Sequence, residues 1–291
     1  MNISKRHHYI PQFLIKRFAD KDGMLFLYDK EKKAFAKERR SSKSVFFEMN
    51  RNTVDTGGAP HDNMERLYAE LDAKFSGTIK DIVENHNMSE ENIASMLVLA
   101  SSLKWRLPIN DKDFEKTAKA LSYADLPINI SIKNEDGSDH TEALKHITNS
   151  ELFNQSKRVI FPFLPFYNGK DISEEKLISA YLNSYVNAND RIISILGDAP
   201  LIEDQNSTVN DFGNFILPIG NHETFICSDF GTKKVTNVAF FVNKDLAVFH
   251  QSKKYVICKD KAHLEQIIGV YDTLTADGNL NQIMDHIFKF T

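Results

Sequence analysis

The chain reads as α+β: an N-terminal β-hairpin, a helical middle, and a C-terminal antiparallel sheet with a terminal helix. Two observations predict this. The hydrophobic period is mixed over the first fifty residues, helical from about residue 60 to 197, and two after Pro200. Strands and helices also fall into segregated runs instead of alternating, and no repeat of fixed period interrupts them. One domain is expected over 1–291, with the hairpin at 1–50, the helical region at 60–197, and the sheet and last helix at 201–290.

The elements follow in order. Pro11 suits the first helical position, and Ile10, Leu14 and Phe18 share a face. Met24 to Tyr28 reads as a strand, Asp29 to Lys33 as its turn, and Ala34 to Glu38 as the return. Val45 to Phe47 adds a short strand, and residues 50–60 form a loop. Met64, Leu67, Tyr68, Leu71, Phe75, Ile79 and Ile82 mark an amphipathic helix. Ser89, followed by Glu90 and Glu91, opens a second helix, apolar on most faces, that carries Arg106 and stops at Pro108. A third spans about Asp111 to Ser122. Residues 124–139 are irregular, 140–157 helical, and Val159 to Tyr167 a connector or short strand. Asp171 with Glu174 resembles a capping box for a helix running through Ile192 to Gly197. Strands are then expected at Asn214–Pro218, Glu223–Ser228, Val235–Val242, Leu246–His250 and Tyr255–Cys258. A last helix runs from His263 towards Phe288, broken near Gly278.

Composition narrows the functional classes. The 12 Gly and 8 Pro exclude collagen-like and low-complexity chains. No apolar run approaches the ~18 residues of a membrane span. The basic start lacks the apolar stretch of a signal peptide, and Cys227 and Cys258 make neither a disulfide framework nor a zinc site. A cytoplasmic protein with no membrane partner is expected. The net charge of −4 hides an asymmetry: residues 1–45 carry 12 Lys/Arg and 5 Asp/Glu, and the rest of the chain is acidic. A basic segment on an acidic body points to local contact with phosphate or another anion, nucleic acid included. The plain alternative is a solvated hairpin whose lysines guard a strand edge.

Phosphate-binding glycine loops, H-E-x-x-H and G-x-S-x-G are absent. Neighbouring residues on a strand point to opposite faces, so His7 and His8 cannot easily clamp one metal. Asp62, Glu65 and Asp72 share a helix face, which reads as an acidic solvent face. Ser228 and Asp229 end a core strand, where a carboxylate can orient a base or hold a metal; Lys233 and Lys234 follow. The plain reading there is a turn-forming Asp.

The run His7-His8-Tyr9-Ile10-Pro11-Gln12-Phe13-Leu14, followed by Lys16-Arg17-Phe18, resembles the start of domain-of-unknown-function family 4238. Leu25 to Asp29, Lys43 to Glu48, Glu70, Arg106 and Phe225 to Asp229 continue the likeness. The family usually follows its Asp with Asn-Pro-Val, whereas Phe230-Gly231-Thr232 stands here. The resemblance implies no activity by itself.

Two classes of function are expected to compete. One is a phosphodiester hydrolase, nuclease-like and suited to microbial defence or a toxin. His7 or His8 would act as acid/base, Glu70 and Asp229 as carboxylates, and Gln12, Arg17, Arg106 and Ser228 as phosphate contacts, with a divalent metal as a candidate cofactor. The other is a non-enzymatic module that binds nucleic acid or an acidic partner, in which His8, Gln12 and Arg106 form a buried structural network. Convergence of the His run with the Phe225–Asp229 strand end in an open pocket favours the first; a sealed network favours the second.

Overall fold

The computed structural model describes residues 5–55, 60–61, 63–167, 174–204, 208–228 and 238–288. In chain order the elements are β1 (Arg6–His8), α1 (Gln12–Lys16), β2 (Met24–Asp29), β3 (Ala34–Phe35), β4 (Arg40–Ser41), β5 (Phe47–Met49), β6 (Val54–Asp55) and β7 (Pro60–His61). The helical middle follows: α2 (Asn63–Asn85), α3 (Glu90–Arg106), α4 (Asp111–Ala120), α5 (Thr141–Thr148), α6 (Glu151–Ile160), α7 (Leu164–Tyr167) and α8 (Glu174–Leu182). The last part holds β8 (Ser184–Ala188), β9 (Leu196–Gly197), β10 (Ile202–Glu203), β11 (Phe215–Pro218), β12 (Glu223–Cys227), α9 (Val238–Gln251), β13 (Tyr255–Cys258), α10 (Lys261–Ala276) and α11 (Asn281–Ile287). The α+β class holds, and among the described residues every strand pair is antiparallel.

Two sheets organise the chain. One has the order β10-β11-β12-β8; the other is β3-β2-β13-β9, with β4 also paired to β2. The N-terminal hairpin therefore shares a sheet with the C-terminal strand β13, in the register Tyr255↔Asp29 to Cys258↔Phe26. Alternation sends Phe215, Leu217, Phe225, Cys227 and Ile257 to a core shared with α1, α2 and α3. Ile216, Ile226, Val256 and Cys258 face a second core with α9, α10 and α11. Both sheet faces are thus covered, and β11 reads as a continuous apolar run, buried at every position.

Three segments depart from the sequence reading. Where strands are expected at Val235–Val242 and Leu246–His250, the described residues Val238–Gln251 form one helix, α9. Eight of its residues are buried, from Phe240 to Phe249, so apolar side chains surround the helix and its period is hidden. The helix expected through Ile192 stops at Leu182; Ser184–Ala188 extends beside β12 instead. Tyr185 and Val186 favour a strand, although their spacing continues the helical pattern. Val159 to Tyr167 is helical, with Pro162 and Pro165 in first turns where a missing N–H costs nothing. Pro11 sits one residue earlier than expected, at the cap of α1. Ser89 caps α3 as its sequence suggests, accepting from the Asn92 N–H, and Gly278 breaks the C-terminal helix at φ +72°. Asp171, Lys233 and Lys234 lie outside the described residues.

Candidate functional site

β1 pairs with β5 in the register His7↔Glu48 and His8↔Phe47. This places both histidines against the body, and both are buried. His7 Nδ1 accepts the Asn52 N–H at 2.8 Å. Gln12 Nε2, at the first residue of α1, donates to His8 Nδ1 at 3.2 Å. Arg106, at the end of α3, donates to the His8 carbonyl at 3.1 Å and forks onto both Asp72 oxygens, at 2.6 and 3.3 Å. Its guanidinium also lies 4.2 Å from the Tyr68 ring centroid. Burial alone would push the Arg106 pKa down; Asp72 outweighs it and holds the charge.

His8, Gln12, Arg106 and Asp72 therefore converge in one network, buried at His8 and Arg106 and reaching the surface at Asp72 and Gln12. Burial, and secondly the Arg106 charge, lower the His8 pKa, while the backbone of Ser42 and Lys43 acts in the opposite sense. The imidazole is held neutral, accepting through Nδ1 and walled from solvent.

The other expected site residues lie apart from this network. Arg17 donates to the Ile219 carbonyl at 2.6 Å and pairs with Glu223 at 3.3 Å. It latches α1 to the β11–β12 turn. Glu70 is exposed on α2, and no hydrogen bond or ion pair joins it to the histidines. Ser228 is buried just after β12, its N–H bonded to the Asn183 carbonyl at 3.3 Å. Asp229 lies outside the described residues, so the expected meeting of His8 and Asp229 does too. Of the acidic helix face, Asp72 is spent on Arg106, and Glu65 accepts from Asn52 at 2.8 Å. Among the described residues, no three His, Cys, Asp or Glu side chains gather as a metal ligand set.

The open concavities flank the same strands. One cleft of about 420 Å³ runs between the hairpin, the residues before β5, and the start of β13. A second, about 400 Å³, continues towards Pro108, Ile109 and Asp198. Tyr9, Phe47, Lys254 and Tyr255 line both. Three lining rings each carry a cation 5.0 Å from the centroid: Arg6 over Phe47, Lys254 over Tyr255, and Lys261 over Phe35. Arg40 and Lys32 add charge to the first cleft. Lys32 is tied to Asp29 at 3.0 Å, whereas Arg40 is exposed.

Four carboxylates, Asp29, Glu31, Glu48 and Asp198, stand among the lining residues beside Lys32, Arg40, Lys253 and Lys254. Asp198 accepts the N–H groups of Lys253, Lys254 and Tyr255 at 2.7–3.0 Å, fixing the turn into β13. Burial raises the Tyr9 pKa, and the Asp198 and Glu48 carboxylates raise it further, so the phenol stays protonated. Phe46 sits at φ +54°, a conformation that costs a bulky residue about 1–3 kcal/mol. Its ring is buried against Tyr9, at 6.0 Å between centroids. That strain turns the chain from the core into the cleft wall at Phe47.

In the sequence Tyr9 stands out only as part of the His7-to-Leu14 run, and Tyr255 only as the start of a strand. The basic bias of residues 1–45 was the signal that pointed here, since Arg6, Lys32 and Arg40 come from that segment.

Fold and site together define an α+β protein with a largely buried polar latch at its N-terminal segment and an aromatic cleft of mixed charge beside it. The sequence model of the family described as "Protein of unknown function (DUF4238)" matches residues 6–262, and the chain belongs to that family. No curated protein and no solved structure matches the chain. No helix among the described residues is long and apolar enough to cross a membrane.

Proposed function

We propose that this protein binds single-stranded nucleic acid, seating one or two nucleotides in the paired cleft, with the His8–Gln12–Arg106–Asp72 network as scaffold. The observation that carries the reading is the set of three cleft rings, each with a cation at 5.0 Å. Single strands are held by this combination of stacking faces and backbone-tracking charge. Phosphodiester hydrolysis is less well supported, because His7 and His8 are both buried, away from the open clefts where a scissile phosphate could sit.

The test is fluorescence anisotropy with labelled twelve-nucleotide oligo-dT and oligo-U. Binding should weaken steeply with salt, as counterion release requires. Tyr255→Ala should lose about 1–3 kcal/mol, the worth of a stacked base. Arg40→Glu and Lys254→Glu should weaken binding about tenfold each, since phosphate contacts dominate affinity. Inorganic polyphosphate should compete poorly because it has no bases to stack. Equal binding by all variants, or none at low salt, would refute the proposal. Cleavage of the oligonucleotide with Mg²⁺ or Mn²⁺, abolished by His8→Ala and Asp229→Ala, would favour the hydrolase instead.

A further inference from the structure

We infer that a second surface, between the start of α3 and α8, is a docking groove for a basic amphipathic helix of a partner protein. The groove holds about 440 Å³. Ile93 and Leu97 form a buried floor, and Phe166, Leu177 and Tyr181 extend it. Ile178 stands 50% exposed at its edge, and the neighbouring Leu182 and Tyr167 are 67% and 64% exposed. Such clustering of large apolar side chains on a surface marks a contact site more often than chance exposure does.

Charge selects the occupant. Among the described residues, ten line the groove; three of them are glutamates, Glu90, Glu91 and Glu174, and none of the ten is a cation. Glu90 and Glu91 sit in the first turn of α3, and Glu174 opens α8. Helix dipoles favour acids there, but here those two helix starts flank one apolar trough. An apolar floor with an acidic rim complements a helix whose apolar anchors recur at i, i+3, i+4 and i+7 and whose flanks carry Lys or Arg. A second copy of this chain fits less well, because like rims would face each other across a two-fold contact.

The probe is an 18-residue peptide of Leu and Lys placed at helical period, titrated into the full chain while Ile and Leu methyl signals are followed. Ile93, Leu97, Leu177 and Ile178 methyls should shift, and the scrambled peptide of equal composition should not move them. Ile178→Lys should weaken binding at least tenfold. Glu90→Gln/Glu91→Gln, which keeps the fold and shortens no side chain, should weaken it severalfold and flatten its salt dependence. Unchanged affinity in both variants, or equal binding of the scrambled peptide, would overturn the inference. So would a concentration-dependent dimer in sedimentation that Ile178→Lys disperses, since that result assigns the face to a second copy.

Discussion

Arg106 has given up its water, and its charge rests on Asp72. Asp72 is 22% exposed and Arg106 4%, so the two ends of the pair differ in what they lose when separated. Asp72→Ala leaves a buried guanidinium unpaired and should cost about 3–5 kcal/mol in denaturant unfolding. Arg106→Ala frees a carboxylate that can turn to water, so its cost comes from the lost His8 carbonyl bond and the lost packing on Tyr68 and should be smaller. His8 adds a pH dependence. Its folded pKa lies below the ordinary 6.5, so between the two values the unfolded chain holds more protons than the folded one. Stability is then full above about pH 6.5 and falls as pH drops below it. His250, lowered by burial and by Lys30, acts in the same direction. A His8→Gln/His250→Gln double variant should flatten the acid limb of the melting-temperature profile; an unchanged limb would exclude both residues as its source. The polar latch was legible in part. His8, Gln12 and Arg106 stood out because buried polar groups beside apolar neighbours need partners. Asp72 did not, because its pairing with Arg106 is set by how α2 packs on α3, and helix-face spacing alone made it look solvated.

At the scale of elements, two contacts carry more than their length suggests. The β11–β12 turn approaches α1 so closely that a Cβ on Gly220 would fall 2.1 Å from Glu223 Oε2 and 3.2 Å from the Arg17 guanidinium. Gly220→Ala must therefore displace the Arg17–Glu223 pair, and should lower the melting temperature by several degrees, equivalent to about 1–2 kcal/mol. Gly77→Ala, with open space at its Cβ, is the control and should be neutral or stabilising. The second contact is Lys30, which reaches from the hairpin to the carbonyls of Phe249, His250 and Ser252 at the end of α9. A cation at a helix C-terminus satisfies carbonyls that the helix leaves open. This reach also bears on α9 itself, which was not legible as a helix. Its Asn243-Lys244-Asp245 core looked like a break between two apolar strands. The structure instead buries the charges: Lys244 meets Asp245 at 2.8 Å and Ser194 at 2.5 Å, and Asp245 meets His263 at 2.8 Å. A buried, mutually satisfied polar set removes the polar face on which a helical period depends.

For the molecule as a whole, the joining of chain ends decides how it unfolds. β2 and β13 lie more than two hundred residues apart in sequence, yet they pair over four positions at the centre of one sheet. The N-terminal segment adds Tyr9, Ile10, Leu14, Ile15 and Phe18 to the core behind that sheet, all buried. At about 1.5–3 kcal/mol for each such side chain, their docking is worth on the order of 10 kcal/mol, comparable to the net stability of a whole domain. Neither end should therefore be dispensable. Deleting residues 1–18 strips that apolar surface, and ending the chain at Ser252 removes β13, leaving β2 and β9 without their common neighbour and the second core without α10 and α11. Each truncation should abolish cooperative melting, and an unchanged melting curve in either would contradict the joint role of the two ends. The full chain gives a test free of truncation. The amides of Tyr28 and Val256 face each other in the paired centre of that sheet and should exchange with solvent only through global unfolding, at the same rate as Ile216 and Ile226 in the other sheet. Exchange at Tyr28 and Val256 that is faster by two orders of magnitude would mean that the hairpin opens independently, and that the two sheets are separate cooperative units despite the cores they share.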